Sequence, residues 1–424
     1  MGKFKNFWKS LGPGFITGAA DDDPAGIAIY SIAGAKFGLA MLWTVIAALP
    51  FLVVIQRMCG RIGLISGRGL AGNMKRHYPA WILFIVALSV LIANIVNIGA
   101  DISAMAQSVD LLFPVPSVLL SVALSGTIIV LLIFMSYRRI AHILKWISVV
   151  LFAYILSAFF VQQDWRAIFM SLIWPPLQFN KAYIAMIVAI IGTTISPYLF
   201  FWQASEAVEE ERTKHPEMMM PDVKPKKSSR SKYVIKNEVG AMYKDVYYGM
   251  FFSELITFFI MILSAATLNQ HGITDVQSID QIARVLRPLA GQYANGLFLI
   301  GILASGTLAI PVLAGAAGYA LAEMFGWNEG FEKSFGKAKQ FYVIIIIATI
   351  LGLAIPLFHF QPVTVLYYTG IIFSIISPLL VGIIIHMANN PKIMGPYTSR
   401  LSSNIIAYIL LIVLSVSIVT MFFL

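Results

Sequence analysis

A single cysteine, Cys59, stands in a chain of 424 residues, which excludes a disulfide framework and any cysteine-built zinc or iron–sulfur site. Charge is scarce as well. Asp, Glu, Lys and Arg make up 12% of the residues, against about 25% in ordinary soluble domains. The chain has no His-Glu-x-x-His motif, no Walker-type phosphate loop and no Gly-x-Ser-x-Gly elbow, so neither an intramembrane hydrolase nor an ATP-driven pump is expected. What is abundant is apolar surface: 59% of the residues are hydrophobic and the mean hydropathy is +0.82. A water-soluble core cannot absorb that much, so a soluble enzyme and a disordered chain are both excluded.

A helix needs about 20 apolar residues to cross roughly 30 Å of hydrocarbon. Eleven stretches qualify, near 12–35, 38–58, 80–108, 115–136, 140–161, 182–205, 243–268, 289–323, 341–359, 362–387 and 402–424. The first contains Asp21, Asp22 and Asp23 and lacks a clear cleavage site, unlike a secretory signal. With the N-terminus in the cytoplasm and the C-terminus outside, 25 of the 30 Lys and Arg residues fall on the cytoplasmic side; Lys36, Arg166, Lys181, Arg284 and Arg287 do not. The net charge of +10 is therefore a topology signal, and no nucleic-acid partner is needed to explain it. The expected partner is the bilayer of the plasma membrane. Nothing in the sequence names a protein partner.

The whole chain, 1–424, reads as one transmembrane domain. Residues 206–244, with the acidic run Glu209-Glu210-Glu211 and a Lys/Pro/Ser-rich stretch, read as a solvated cytoplasmic linker with some helix at each end. Residues 67–79 read as a short interfacial helix. Spans 1–5 (12–161) and 6–10 (182–387) each open with a helix interrupted by proline in a polar patch: Asp21-Asp22-Asp23-Pro24-Ala25-Gly26 in span 1, and Gly192-Thr193-Thr194-Ile195-Ser196-Pro197-Tyr198 in span 6. Five spans per half place the second half upside down. Matching interruptions in inverted halves point to a midplane site in a secondary transporter. The fold expected is an all-α polytopic bundle, a 5+5 inverted repeat with discontinuous spans 1 and 6, closed by span 11 (402–424).

Proline frees carbonyls from their helical partners, and hydrocarbon tolerates free carbonyls only beside a cavity or ligand. Beside carboxylates they make a cation site. Asp23, nearest the break, is the expected principal ligand, with Asp21 and Asp22 around it, since successive helical residues point about 100° apart. An interfacial position for the triplet is the plainer alternative. Thr193 and Ser196, one helical face before Pro197, offer a carbonyl and a hydroxyl; ordinary backbone satisfaction is their alternative. Asp101 in span 3, with Asn94 on nearly the same face, and Glu254 in span 7 are further intramembrane polar residues, each a candidate for a pathway role.

These residues have a resemblance. The stretches Leu11-Gly-Pro-Gly-Phe-Ile, Asp23-Pro24-Ala25-Gly26, Ala33-Gly-Ala-Lys-Phe-Gly38, Arg61-Ile-Gly-Leu-Ile-Ser-Gly-Arg68, Gly99-Ala100-Asp101 and Leu303-Ala-Ser-Gly306 resemble the NRAMP family of divalent metal transporters along essentially all eleven spans. The resemblance implies a LeuT-like fold, a divalent metal ion as transported substrate, no cofactor, and a metal site at Asp23, Gly26, Thr193 and Ser196. Asp21, Asp22, Asn94, Asp101, Tyr198 and Glu254 then stand around that site or along its pathway, and Pro24 and Pro197 break the helices. This chain departs from the family pattern at four kinds of position. Gly26 replaces the asparagine of the Asp-Pro-Gly-Asn motif, Ser196 the span-6 methionine, and Tyr198 a histidine linked to proton coupling. Asn94 and Ala104 stand at acidic positions. Losing the thioether removes the soft donor that favours transition metals; a magnesium-transporting branch of the family lacks the same methionine. Mg²⁺ or Mn²⁺ is the expected substrate, and a symporter of a small organic solute, with the aspartates holding a coupling ion, is the rival reading.

Overall fold

The computed structural model describes residues 12–134, 148–214 and 229–423, and among them every regular element is helical. The principal helices are α1 (Pro13–Asp21), α2 (Pro24–Phe37), α3 (Trp43–Ser66), α4 (Leu70–His77), α5 (Ala80–Asp110), α6 (Ser117–Phe134) and α7 (Phe152–Phe159). They are followed by α8 (Lys181–Thr194), α9 (Pro197–Lys214), α10 (Ser229–Thr267), α11 (Ala294–Phe325), α12 (Lys339–Gly352), α13 (Pro362–Asn389) and α14 (Leu401–Phe423). Among the described residues ten helical stretches are long and apolar enough to cross a membrane. The span expected at 140–161 is represented by a 3₁₀ turn, Ser148–Leu151, and α7; 140–147 lies outside the described residues. Spans 1 and 6 are both discontinuous, as α1/α2 and α8/α9.

The broken helices occupy the middle of the bundle. Helix α10 lies along both α1 and α2, α8 packs on α13, α9 packs on α3 and α11, and α5 runs against α11, α12 and α13. Small residues permit the closest crossings: a Cβ on Gly18 would stand 2.1 Å from the carbonyl oxygen of Gly249, and one on Gly192 1.8 Å from that of Gly370. Any side chain there would push α1 off α10, or α8 off α13. Helices α6 and α14 sit at the periphery with Leu119, Phe134, Ile412 and Phe422 exposed. In water such surface would be costly; against lipid tails it is in its proper solvent.

One end of the bundle gathers the segments that sequence reasoning assigns to the cytoplasmic side. Glu323 accepts the N–H groups of Gly69 (2.5 Å) and Gly72 (2.9 Å), Arg212 reaches the Gly67 carbonyl at 3.3 Å, and Arg61 bonds Ser399. At the other end Asn269 donates to the Ala35 carbonyl at 2.7 Å.

The described parts of the expected linker at 206–244 are helical at each end, but its acidic residues Glu206, Glu209 and Glu211 are not solvated. Helix α9 continues through Lys214 and α10 begins at Ser229, while Glu206, Glu209, Glu211 and Asp245 are all buried. These acids are held inside the bundle end because backbone and hydroxyl donors meet them there: the Glu332 N–H and the Tyr319 hydroxyl at Glu209 and, just beyond the segment, the Gly12 and Gly14 N–H groups, both at 2.7 Å, at Asp245. The Lys/Pro/Ser-rich stretch at 215–228 lies outside the described residues.

Candidate functional site

The first break has a local cause. Pro24 has no amide hydrogen for the carbonyl four residues back, that of Ala20. Helix α1 stops at Asp21, and Asp23 turns to extended backbone (φ −70°, ψ 172°) before α2 begins. Asp23 then caps α2: its Oδ1 accepts the Gly26 N–H at 2.6 Å. A carboxylate at a helix N-terminus sits against the positive end of the helix dipole. The second break repeats the logic, since Pro197 cannot serve the carbonyl of Thr193, and α8 ends at Thr194.

Both freed carbonyls receive a hydroxyl instead. Tyr198 donates to the Ala20 carbonyl at 3.1 Å, and the Ser196 hydroxyl lies 2.6 Å from the Thr193 carbonyl and 2.9 Å from that of Gly192. The hydroxyls of Tyr30 and Thr194 meet at 3.0 Å. Each half of the first broken span is thereby tied to the opposite half of the second: α1 to α9 through Tyr198, and α2 to α8 through Tyr30.

The carboxylate cluster lies toward α5. Asp23 Oδ2 accepts from the amide of Asn97 at 2.9 Å, and the same nitrogen lies 3.3 Å from Asp101 Oδ2. Asp23, Asn97 and Asp101 are all buried. Asn97 Oδ1 and Asp101 Oδ1 are buried oxygens without a hydrogen-bond partner. Among the described residues no three His, Cys, Asp or Glu side chains converge closely enough to hold a metal ion by themselves. A cation here would draw on Asp23 together with amide, carbonyl and hydroxyl oxygens, all of them hard donors.

The other residues singled out in the sequence are distributed around this cluster. Asn94 is directed elsewhere, its amide donating to the Leu313 carbonyl in α11 at 2.8 Å. Gly26 serves Asp23 through its N–H; a Cβ there would stand 3.0 Å from the Asp21 carbonyl oxygen, so the space for a longer side chain is taken. Asp21 and Asp22 turn to α10, where the Ser253 hydroxyl is 2.9 Å from Asp21 Oδ2 and 3.4 Å from Asp22 Oδ1. Both oxygens of the neighbouring Glu254 are buried without a partner. The Ser196 hydroxyl is shared between the Thr193 and Gly192 carbonyls at the second break. Sequence reasoning missed Asn97, although its spacing of four from Asp101 puts both on one face of α5.

Two helices interrupted side by side, with a buried carboxylate at one break and crosswise hydroxyl links between them, define a polytopic membrane transporter of the LeuT-like architecture and not an enzyme. The sequence comparison specifies the class further: residues 14–424 match the family model described as natural resistance-associated macrophage protein-like. The chain belongs to the Nramp family. A divalent metal cation transporter, MntH, of Mycobacterium leprae is 24% identical over 419 residues, covering 97% of this chain and 91% of that protein. The fold is shared with the Eremococcus coleocola manganese transporter (TM-score 0.77, 15% identity, 98% of this chain and 86% of that one). It is also shared with Mhp1, a nucleobase-cation-symport-1 family transporter (TM-score 0.61, 13% identity, 97% and 89%).

Proposed function

We propose that this chain carries a divalent metal cation, Mg²⁺ or Mn²⁺, into the cytoplasm across the plasma membrane by alternating access, with its N-terminus inside and its C-terminus outside. The observation that carries the reading is Asp23, a buried carboxylate capping the second half of a broken helix and joined through Asn97 to Asp101. A doubly charged ion compensates this carboxylate, which is otherwise costly at membrane depth. Carbonyls at the two breaks and the oxygens of Asn97 and Asp101 complete an oxygen-only ligand set. The Ser196 and Thr193 oxygens become ligands by exchanging one of their mutual contacts for the ion. Membership of a family whose relatives include divalent metal cation transporters favours the metal over the rival organic-solute substrate. The metal is substrate, and no resident cofactor enters the scheme.

Movement of the halves supplies the alternation. The Tyr198–Ala20 and Tyr30–Thr194 links each join one half-helix to the opposite span, so breaking one pair frees one side of the site while the other pair holds. Purified protein in liposomes is expected to give saturable uptake of Mn²⁺ and Mg²⁺ that Asp23→Asn removes. Absence of saturable flux of either ion would overturn the reading, and flux of an organic solute driven by a cation gradient would restore the rival.

A further inference from the structure

The acidic end of α9 carries a second arrangement, away from Asp23 and unused in the scheme above. The Tyr319 hydroxyl of α11 stands between two glutamates one helical turn apart on α9. It lies 3.0 Å from Glu206 Oε1 and in hydrogen-bond contact with Glu209 Oε2. Glu206, Glu209 and Tyr319 are 1%, 8% and 1% exposed, so the three groups are shielded from bulk water. A phenol has one hydrogen. It can satisfy one carboxylate; toward the other it must act as acceptor, and that carboxyl must then own a proton.

The remaining contacts decide which. Glu209 already accepts the backbone N–H of Glu332 on Oε1, a bond that favours the ionised form of a carboxyl, so the geometry puts the charge on Glu209, which takes the Tyr319 hydrogen on Oε2. Glu206 is left to donate. We propose that Glu206, Tyr319 and Glu209 form a proton-binding site in which Glu206 holds the proton, donates it to the Tyr319 oxygen, and so lets Tyr319 donate to an ionised Glu209.

The charged surroundings do not remove the need for that proton. On α9 itself Glu210 and Arg212 are the charged neighbours, and Arg212 bonds the Gly67 carbonyl. From α11 Glu323 faces the same cavity of about 130 Å³, but it is committed to Gly69 and Gly72. The loop contributes Glu329, Glu332 and Lys333, α4 contributes Lys75 beside Gly326, and α12 contributes Tyr342. Acids outnumber bases in this set.

The site fastens a loop. Residues 326–338 join α11 to α12, and their Gly330-Phe331-Glu332 turn folds over Glu209. Gly330 has φ +113°, and a Cβ there would stand 2.8 Å from Glu209 Oε2, so only glycine brings the turn this close. Phe331 enters an aromatic cluster with Trp202 of α9 and Tyr319, ring centroids 5.9 and 6.1 Å away. Loss of the Glu206 proton would leave its carboxylate against the oxygen of a phenol whose one hydrogen is given to Glu209, weakening the contact of α9 with α11 and loosening the loop and the inner half of the broken span. On the side proposed as cytoplasmic, this makes the inner end responsive to internal pH, with the proton bound and not carried across.

Two readouts test this independently of metal flux. Infrared spectra of the purified full-length protein titrated in pH should show a protonated-carboxyl component, seen in the difference between wild type and Glu206→Gln, that this variant removes. Exchange-corrected hydrogen–deuterium uptake of 326–338 should rise at least threefold in wild type between pH 6 and 8.5, while Glu206→Gln, a permanent hydrogen-bond donor, stays at the pH 6 level. Gly330→Ala, whose Cβ would meet the Glu209 carboxyl, should expose the loop at both pH values. A carboxyl band unchanged by Glu206→Gln, or loop exchange equally pH-dependent in wild type and variant, would overturn the proposal. Failure of Mn²⁺ flux would instead touch only the transport reading.

Discussion

The hydroxyl of Tyr198 occupies the carbonyl of Ala20, 178 residues away, at 3.1 Å. That carbonyl is the one Pro24 leaves without its helical donor, so a residue at the second break repairs the first. A buried carbonyl left unmade costs about 1–3 kcal/mol. Tyr198→Phe keeps the ring and its packing on Phe373 (centroids 5.5 Å apart) but deletes the donor. It is expected to lower stability by about that amount, read as a lower thermal unfolding midpoint of the detergent-purified protein. An unchanged midpoint would show that the bond contributes nothing in the native state.

Asn97 is expected to position Asp23 and Asp101 rather than merely fill space. One amide nitrogen serves both carboxylates, so Asn97→Leu, similar in size, leaves two neighbouring acids without a shared donor. The predicted result is a tenfold or greater loss in apparent metal affinity, about 1.4 kcal/mol or more, with the protein still folded. Asn97→Gln should recover part of the loss. A wild-type affinity in Asn97→Leu, measured by uptake against metal concentration, would remove Asn97 from the site.

The spans and both interruptions were legible in the sequence because hydrophobic length and proline act locally. Asp23-Pro24 and Ser196-Pro197 announce a helix stop and restart whatever surrounds them. Asn97 was hidden because an asparagine one turn from an aspartate has no distinctive signature until α5 is placed against the break at Asp23. The acidic run at 209–211 read as solvated because charge runs on a connector usually are. Its burial depends on Tyr319 and Glu332, more than 100 residues further on.

Selectivity should follow the absence of sulfur. With Asp23, Asn97, Asp101, carbonyls and Ser196 the available donors are oxygen, which suits hard ions. Ser196→Met is predicted to raise Cd²⁺ uptake relative to Mg²⁺, and Ser196→Ala is not. The Ser196 hydroxyl also caps Thr193 and Gly192 carbonyls, so the alanine variant separates the loss of that cap from the gain of a thioether. Strong Cd²⁺ preference in wild type would contradict the oxygen-only site.

Glu329, in the loop between α11 and α12, gives a stability prediction with a definite sign. Burial first, and the Glu323 charge second, push its carboxyl up to about 9, while Arg212 and Lys333 pull it down. A carboxyl raised in the folded state favours folding while protonated and loses that contribution as pH rises from the ordinary carboxylate value of about 4.3 through the folded one. Glu329→Gln should therefore match wild type in thermal midpoint near pH 4 and exceed it by a margin that grows up to about pH 9. A midpoint difference that does not change with pH would show that Glu329 titrates normally.

The driving force is the last expectation. Tyr198, where a titratable histidine is the family pattern, is fully occupied in capping Ala20, and Asn94 is bonded to the Leu313 carbonyl. Neither can pass a proton along. Asp101 is linked to Asp23 through the amide nitrogen of Asn97, which only donates, and Glu254 lies on the α10 side with Asp21 and Asp22, so the two remaining acids do not form one continuous relay. Two charges crossing 100 mV gain about 4.6 kcal/mol, twice the single-charge value of about 2.3. That suffices to accumulate a divalent ion roughly 2,000-fold, at about 1.4 kcal/mol per factor of ten. Uptake is therefore predicted to follow membrane potential with little accompanying proton flux. Liposomes clamped at zero voltage and loaded with a pH dye provide the measurement: metal entry should leave the interior unacidified. Robust metal-dependent acidification that disappears in Asp101→Asn would establish proton symport instead.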